Sequence, residues 1–303
     1  MTKTPALEGI YVPLLAPLDD DAALDGASLD RLVDHVLDGG VDGLWVNGTT
    51  GEFHALADDE RTGLVKHVVA RAAGRVPVVA QCGDPATPRA IALARAALDV
   101  GATHIAAVPP YYLANTQAEI ANHYRGMSDA IGRPVVVYDF PLFCKVAVTT
   151  PTLVSLAEEG VICGIKESAP SLDSFRRLVL EVGEAAPEFR CLHGGGGTAA
   201  ASLYLGGHGV VCALANVAPD GYARLVAHAA RGEWDDALRE QEAINRLGDA
   251  LADAVADRPA TTAPMAAAMK TWLRARGVLA TDTLRPPAAP LTDDQRARIE
   301  ALA

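Results

Sequence analysis

Lysine is nearly missing from this chain. Five occur in 303 residues: Lys3, Lys66, Lys145, Lys166 and Lys270. With 26 basic against 38 acidic residues the formal net charge is −12. The chain thus lacks the basic face that neutralises phosphates, which argues against a nucleic-acid binder. It does not argue against an anionic small substrate, because local charge governs a pocket. No apolar run approaches the roughly 20 residues of a membrane helix, and MTKTPALEG at the N-terminus holds no apolar signal-like core. The five cysteines form no CxxC and no metal-like pair with histidine. Four lie inside apolar runs, where cysteine acts as a small hydrophobe. These absences lead us to expect a reduced, cytoplasmic protein with no membrane partner. No GxGxxG follows the first apolar run, which weakens a dinucleotide-binding sheet.

Half of the residues are hydrophobic, ample for a large core, and they are distributed rhythmically. Short β-rich runs begin at Gly9, Val41, Val76, His104, Pro134, Val161, Phe189 and Gly209. Between them lie stretches with helical spacing, such as SLDRLVDHVLDGG, whose Leu29, Leu32, Val33 and Val36 share one face. In TPRAIALARAALDVG, Thr87 is the expected N-cap, Pro88 the first helical residue and Gly101 the stop. Repeated strand–helix units imply parallel strands joined by crossovers. Their number favours a closed (β/α)8 TIM barrel, an α/β fold, over a doubly wound sheet. After about residue 220 the strands stop. We expect a catalytic barrel over 1–231 and a C-terminal helical region over 232–303, with RPPAAP as a loop before a last short helix.

Barrel active sites sit at the C-terminal ends of the strands. The residues there are 47–52, 109–112, 138–141, 166–168 and 193–197. Lys3 is expected to fray with the terminus, and Lys66 and Lys270 to lie on solvated helix faces. Lys166 differs, because it ends the apolar run VICGIKES. In a mostly apolar pocket, desolvation lowers a lysine's pKa and frees the amine to attack carbonyls, which is Schiff-base catalysis. The alternative is a structural ion pair. Glu167 is a poor partner for it, since neighbours on a strand point to opposite faces. Tyr138 in VVVYDFP is placed either to relay protons or to pack in the barrel. The loop NGTTGEF offers backbone N–H groups and two hydroxyls suited to a carboxylate, or is an ordinary glycine turn.

The segments GTTGE (48–52), PPYY (109–112), YDFP (138–141), GIKES (164–168) and GGHGVV (206–211) resemble, in order, those of the dihydrodipicolinate synthase / N-acetylneuraminate lyase family of pyruvate-dependent class I aldolases. TDTLRPP (281–287) is also similar, so the likeness spans nearly the whole chain. The resemblance implies a metal-independent carbon–carbon lyase without a cofactor. Lys166 would form an imine with pyruvate or another 2-oxo acid, and Thr49 and Thr50 would bind its carboxylate. Tyr138 would be the acid/base, and Thr49 and Tyr112 would extend its proton relay. Tyr111 or Tyr112 would reach a neighbouring subunit of a homotetramer built as a dimer of dimers. Gly48, Gly194 and Val211 would complete the substrate site.

Departures from the family pattern bear on the second substrate, an aldehyde. Synthases of the family carry an arginine where this chain has Phe143, and an asparagine where it has Asp139. This speaks against true dihydrodipicolinate synthase activity. Gly195 and Gly196 stand where sialic-acid lyases hold sugar hydroxyls. The glycines of HGGGGT either bind phosphate or admit close backbone approach. Lys145 in PLFCK either pairs with a distal carboxylate or is a solvated loop lysine. The sequence favours an aldolase acting on a 2-oxo-3-deoxy sugar acid or a 4-hydroxy-2-oxo acid, with an aromatic aldehyde adduct also open. A dehydratase using the same imine, a dihydrodipicolinate synthase and a non-catalytic 2-oxo-acid-binding barrel stay open. His193 and His208 look isolated.

Overall fold

The computed structural model describes residues 6–169, 171–258 and 262–303. Lys3 and most of MTKTPALEG lie outside them. The strands are β1 (Gly9–Pro13), β2 (Gly43–Val46), β3 (Val78–Gln81), β4 (His104–Ala107), β5 (Val135–Asp139), β6 (Ile162–Glu167), β7 (Arg190–His193) and β8 (Gly209–Val211). Each pairs in parallel with the next, and β8 pairs with β1, closing the barrel.

The barrel's outer layer is formed by α1 (Gly26–Asp38), α2 (Asp58–Ala72), α3 (Thr87–Asp99) and α4 (Gln117–Ile131). A short α5 (Pro141–Cys144) precedes α6 (Thr150–Glu158), followed by α7 (Leu172–Ala185), α8 (Ala199–Tyr204) and α9 (Pro219–Ala230). The C-terminal helices are α10 (Trp234–Asp253), α11 (Thr262–Ala275) and α12 (Asp293–Glu300). None of the described helices is long and apolar enough to cross a membrane. The junction between α9 and α10 falls at 231–233.

Side-chain alternation divides the apolar residues into two cores. The larger lies between the strands and the helices and takes Val135, Val137 and Ile165. The smaller fills the barrel and takes Trp45, Val136, Tyr138, Leu192 and Val211. Because successive strand residues face opposite sides, Ile165 facing outward turns Lys166 inward.

Two local expectations are corrected. Thr87 is the first residue of α3, with Ala86 as its uncapped N-cap. Its hydroxyl lies 2.9 Å from His123 Nδ1, joining α3 to α4. Lys270 does not sit on a solvated face. It is 1% exposed and donates to Glu52 Oε1 at 2.6 Å and to the Thr283 carbonyl at 2.8 Å. Lys66 is exposed as expected.

Candidate active site

The C-terminal ends of β5 and β6 bring Tyr138 and Lys166 together as direct register partners. Lys166 Nζ lies 4.1 Å from the Tyr138 ring centroid and 5.4 Å from that of Trp45. No carboxylate among the described residues pairs with it. Glu167 faces outward, where its carboxylate approaches His193 Nδ1 at 3.4 Å and accepts from Ser174 Oγ at 3.3 Å. The structural ion pair is thus ruled out for Lys166. Aromatic faces attract an ammonium, but they do not replace the hydration it loses. Burial accordingly brings the Lys166 amine down to about 7, while the Cys212 thiol beside it acts in the other direction. An amine titrating there is available as a nucleophile at neutral pH.

Tyr138 is also buried, and its phenol is pushed above its ordinary range by desolvation. The hydroxyl therefore stays protonated, 3.0 Å from Thr49 Oγ1. Thr49 belongs to the loop after β2, a pair of tight turns in which Gly51 N donates to the Gly48 carbonyl and Glu52 N to that of Thr49. A Cβ on Gly51 would lie 2.7 Å from the Leu14 carbonyl oxygen, so only glycine allows this packing. Among the described residues nothing accepts the Thr49 or Thr50 N–H. These two donors lie in the loop whose Thr49 hydroxyl meets Tyr138, an arrangement suited to an anion.

The other expected residues are placed as follows. Val211 is buried in the inner core. Gly194 donates to the Glu167 carbonyl, and a Cβ there would lie 2.1 Å from Ser168 Oγ. The next two glycines have similar steric reasons. A Cβ on Gly195 would meet His193 Nε2 at 2.5 Å, and one on Gly196 the Tyr222 hydroxyl at 2.6 Å. Close backbone approach accounts for these glycines. Tyr112 is 78% exposed and in the left-handed region at φ 81°. Its ring lies by Lys145 Nζ at 6.0 Å, so within one chain it does not join the Thr49–Tyr138 pair. Lys145 is itself exposed. Phe143 packs edge-on against Phe140, centroids 4.6 Å apart.

Sequence reasoning missed several buried polar groups. His193 is not isolated: Glu167 flanks one ring nitrogen, and Thr198 Oγ1 lies 3.1 Å from the other. His208 Nδ1 accepts from Cys191 N. Asp139 accepts from Val148 N, tying β5 to the chain after α5. Burial, and Glu167 nearby, raise its carboxyl to about 7. Alternation along β5 and β6 was the available signal, since it sends Asp139 and Glu167 to the same outer face. His228, Glu233 and Asp236 converge within 4.8 Å at the α9–α10 junction. Arg231, His228 and Arg239 already hold their carboxylates.

A cavity of about 480 Å³ is bordered by the β2 loop, α5, α11 and the 285–288 segment, and two of its lining residues, Thr49 and Phe140, touch Tyr138. It has the size of a small-molecule site. The profile of the Dihydrodipicolinate synthetase family matches residues 6–303. A 4-hydroxy-tetrahydrodipicolinate synthase of Aromatoleum aromaticum is 34% identical over 294 residues, covering 97% of this chain and 96% of that one. The prophage protein YagE of E. coli K12, of the same family and solved with pyruvate, superposes with a TM-score of 0.90. It is 26% identical and is covered over 97% of both chains. A monomeric dihydrodipicolinate synthase variant gives 0.87 at 27% identity, over 98% of this chain and 95% of its own. The chain is therefore a member of the dihydrodipicolinate synthetase family of pyruvate-dependent, Schiff-base-forming aldolases and synthases.

Proposed function

We propose that this protein makes or breaks a carbon–carbon bond between pyruvate and an aldehyde through an imine on Lys166. The observation that carries this is the buried lysine, unpaired among the described residues, against the phenol of Tyr138. The free amine attacks the pyruvate ketone and loses water to give the imine, held by its carboxylate on the Thr49 and Thr50 N–H groups. Protonated, the imine draws electrons, and a proton leaves C3 to give an enamine. C3 then attacks the aldehyde carbon, the carbonyl oxygen becomes a hydroxyl by taking a proton from Tyr138, and the proton released from C3 restores the phenol. Hydrolysis returns Lys166 and releases a 4-hydroxy-2-oxo acid; cleavage runs the same steps in reverse. Tyr138 suits the condensation step because its phenol is protonated and Thr49 links it to the loop; in cleavage the same oxygen takes that proton back.

No cofactor enters this reading, and Phe143 in place of arginine supports an aldehyde other than the one the synthases use. Its oligomeric form is the homotetramer, in which the exposed Tyr112 serves a neighbouring subunit; light scattering of the purified protein measures this mass. The test of the mechanism is borohydride trapping with pyruvate followed by peptide mass spectrometry. A reduced pyruvyl adduct on Lys166 is expected. If no 2-oxo acid leaves such an adduct, the proposal is wrong.

A further inference from the structure

Three of the five phenylalanines in this aromatic-poor chain, Phe53, Phe140 and Phe143, border this cavity. Tyr111 joins them, edge-on to Phe53 at 6.4 Å. Phe140 stacks on Tyr138 at an interplanar angle of 29° and meets Phe143 edge-on. The rings therefore run outward from the catalytic phenol along α5. Three polar groups on the cavity wall are engaged already. Glu52 is held by Lys270 and by the Arg285 N–H. Arg285 is the one fixed cation on the wall among the described residues; its Nη2 pairs with Glu60 at 2.6 Å, while its buried Nε has no partner. The Thr49 hydroxyl is on Tyr138. Lys145 is not part of the wall.

We infer that the aldehyde is uncharged and carries a planar aromatic ring, held ring-first among Phe53, Tyr111, Phe140 and Phe143. A second carboxylate would have to compete with Glu60 for the one fixed cation on the wall, and a polyhydroxy chain would bury hydroxyls with few partners. An apolar site disfavours one added hydroxyl by about 100-fold, whereas a flat ring gains edge and stacking contacts. The inference rests on the imine reading above. With the acceptor benzaldehyde the new bond joins pyruvate C3 to the aldehyde carbon, giving a 4-aryl-4-hydroxy-2-oxobutanoate.

The experiment supplies the protein with pyruvate and, in turn, benzaldehyde, glyceraldehyde or succinic semialdehyde. It reads kcat/KM for condensation, with borohydride trapping run in parallel. We expect benzaldehyde to exceed each of the others by roughly 100-fold. In Phe143→Arg, the ratio of succinic semialdehyde to benzaldehyde should rise at least about tenfold, because a cation then faces the wall. A Lys166 adduct accompanied by preference for glyceraldehyde or succinic semialdehyde overturns the aromatic acceptor and leaves the imine standing. Absence of any adduct overturns the imine itself, and the acceptor inference with it.

Discussion

Replacing Lys270 by methionine should loosen the loop that carries Thr49 and Thr50 from a distance. Lys270 lies on α11, far from the loop in sequence, yet its ammonium is sealed against Glu52 with side-chain exposures of 1% and 9%. Glu52 ends the turns that carry Thr49 and Thr50, in the left-handed region at φ 55°. Its other oxygen accepts from Arg285 N at 2.8 Å. One carboxylate thus ties the loop to α11 and to the segment before α12. Burial pulls the Lys270 pKa down and Glu52 works to restore it, which marks a desolvated pair. Removing one partner of such a pair costs about 3–5 kcal/mol, because the other charge stays buried. Unfolding entropy near 2.1 cal/mol/K per residue, over 303 residues, makes this a fall in Tm of roughly 5–8 °C. A calorimetric scan at pH 7 reads it, and KM for pyruvate in the same variant should rise as the loop loosens. The double variant Glu52→Gln/Lys270→Met removes both charges and should recover most of the lost Tm. If Lys270→Met melts within about 1 °C of the parent with an unchanged KM, the pair carries neither stability nor loop geometry.

Three further outcomes follow from the buried groups. The Lys166 pKa is lowered in the folded state, so the folded protein favours the neutral amine and its cost is full below about pH 7. That cost fades as pH rises toward the unfolded lysine value. Lys166→Met should therefore abolish trapping yet raise stability by on the order of 3–5 kcal/mol at pH 6, with a smaller gain at pH 10. In the parent, the imine-forming rate should climb with pH and level off above about 7. Tyr138→Phe should retain the pyruvate adduct while kcat falls about 10²–10⁴-fold, the usual weight of a positioned acid/base; equal losses of adduct and turnover would place Tyr138 in imine formation instead. The Asp139 carboxyl is raised to about 7, so the stability it allows is present below the unfolded carboxylate range and lost as pH rises toward 7. Asp139→Asn should thus stabilise more at pH 8 than at pH 4, read by denaturant titration at both.

How much was legible beforehand differs by kind of information. Spacing alone marked the strands, because buried parallel strands are short apolar runs between helices, and β1 to β8 fall on those runs. Period-two alternation also separated Lys166 from Glu167, and the structure shows them on opposite faces. It did not find the environment of Lys270. A lysine in a helix with alanines around it looks the same in sequence whether it meets water or Glu52, since its partner lies 218 positions away. Thr87 failed as a cap for a similar reason, because its hydroxyl is claimed by His123 on the next helix.

The sequence by itself determined the rhythm of strands and helices, the inward direction of Lys166 and the family motifs, all of which depend on neighbours along the chain. Only tertiary structure decided which polar groups lose their water and which find partners. Closure of the barrel sets Lys166 on the Tyr138 ring. Docking of α11 seals Lys270 on Glu52, and α5 lines the cavity with rings. Desolvation depends on everything packed around a group, and that is fixed only when distant segments meet.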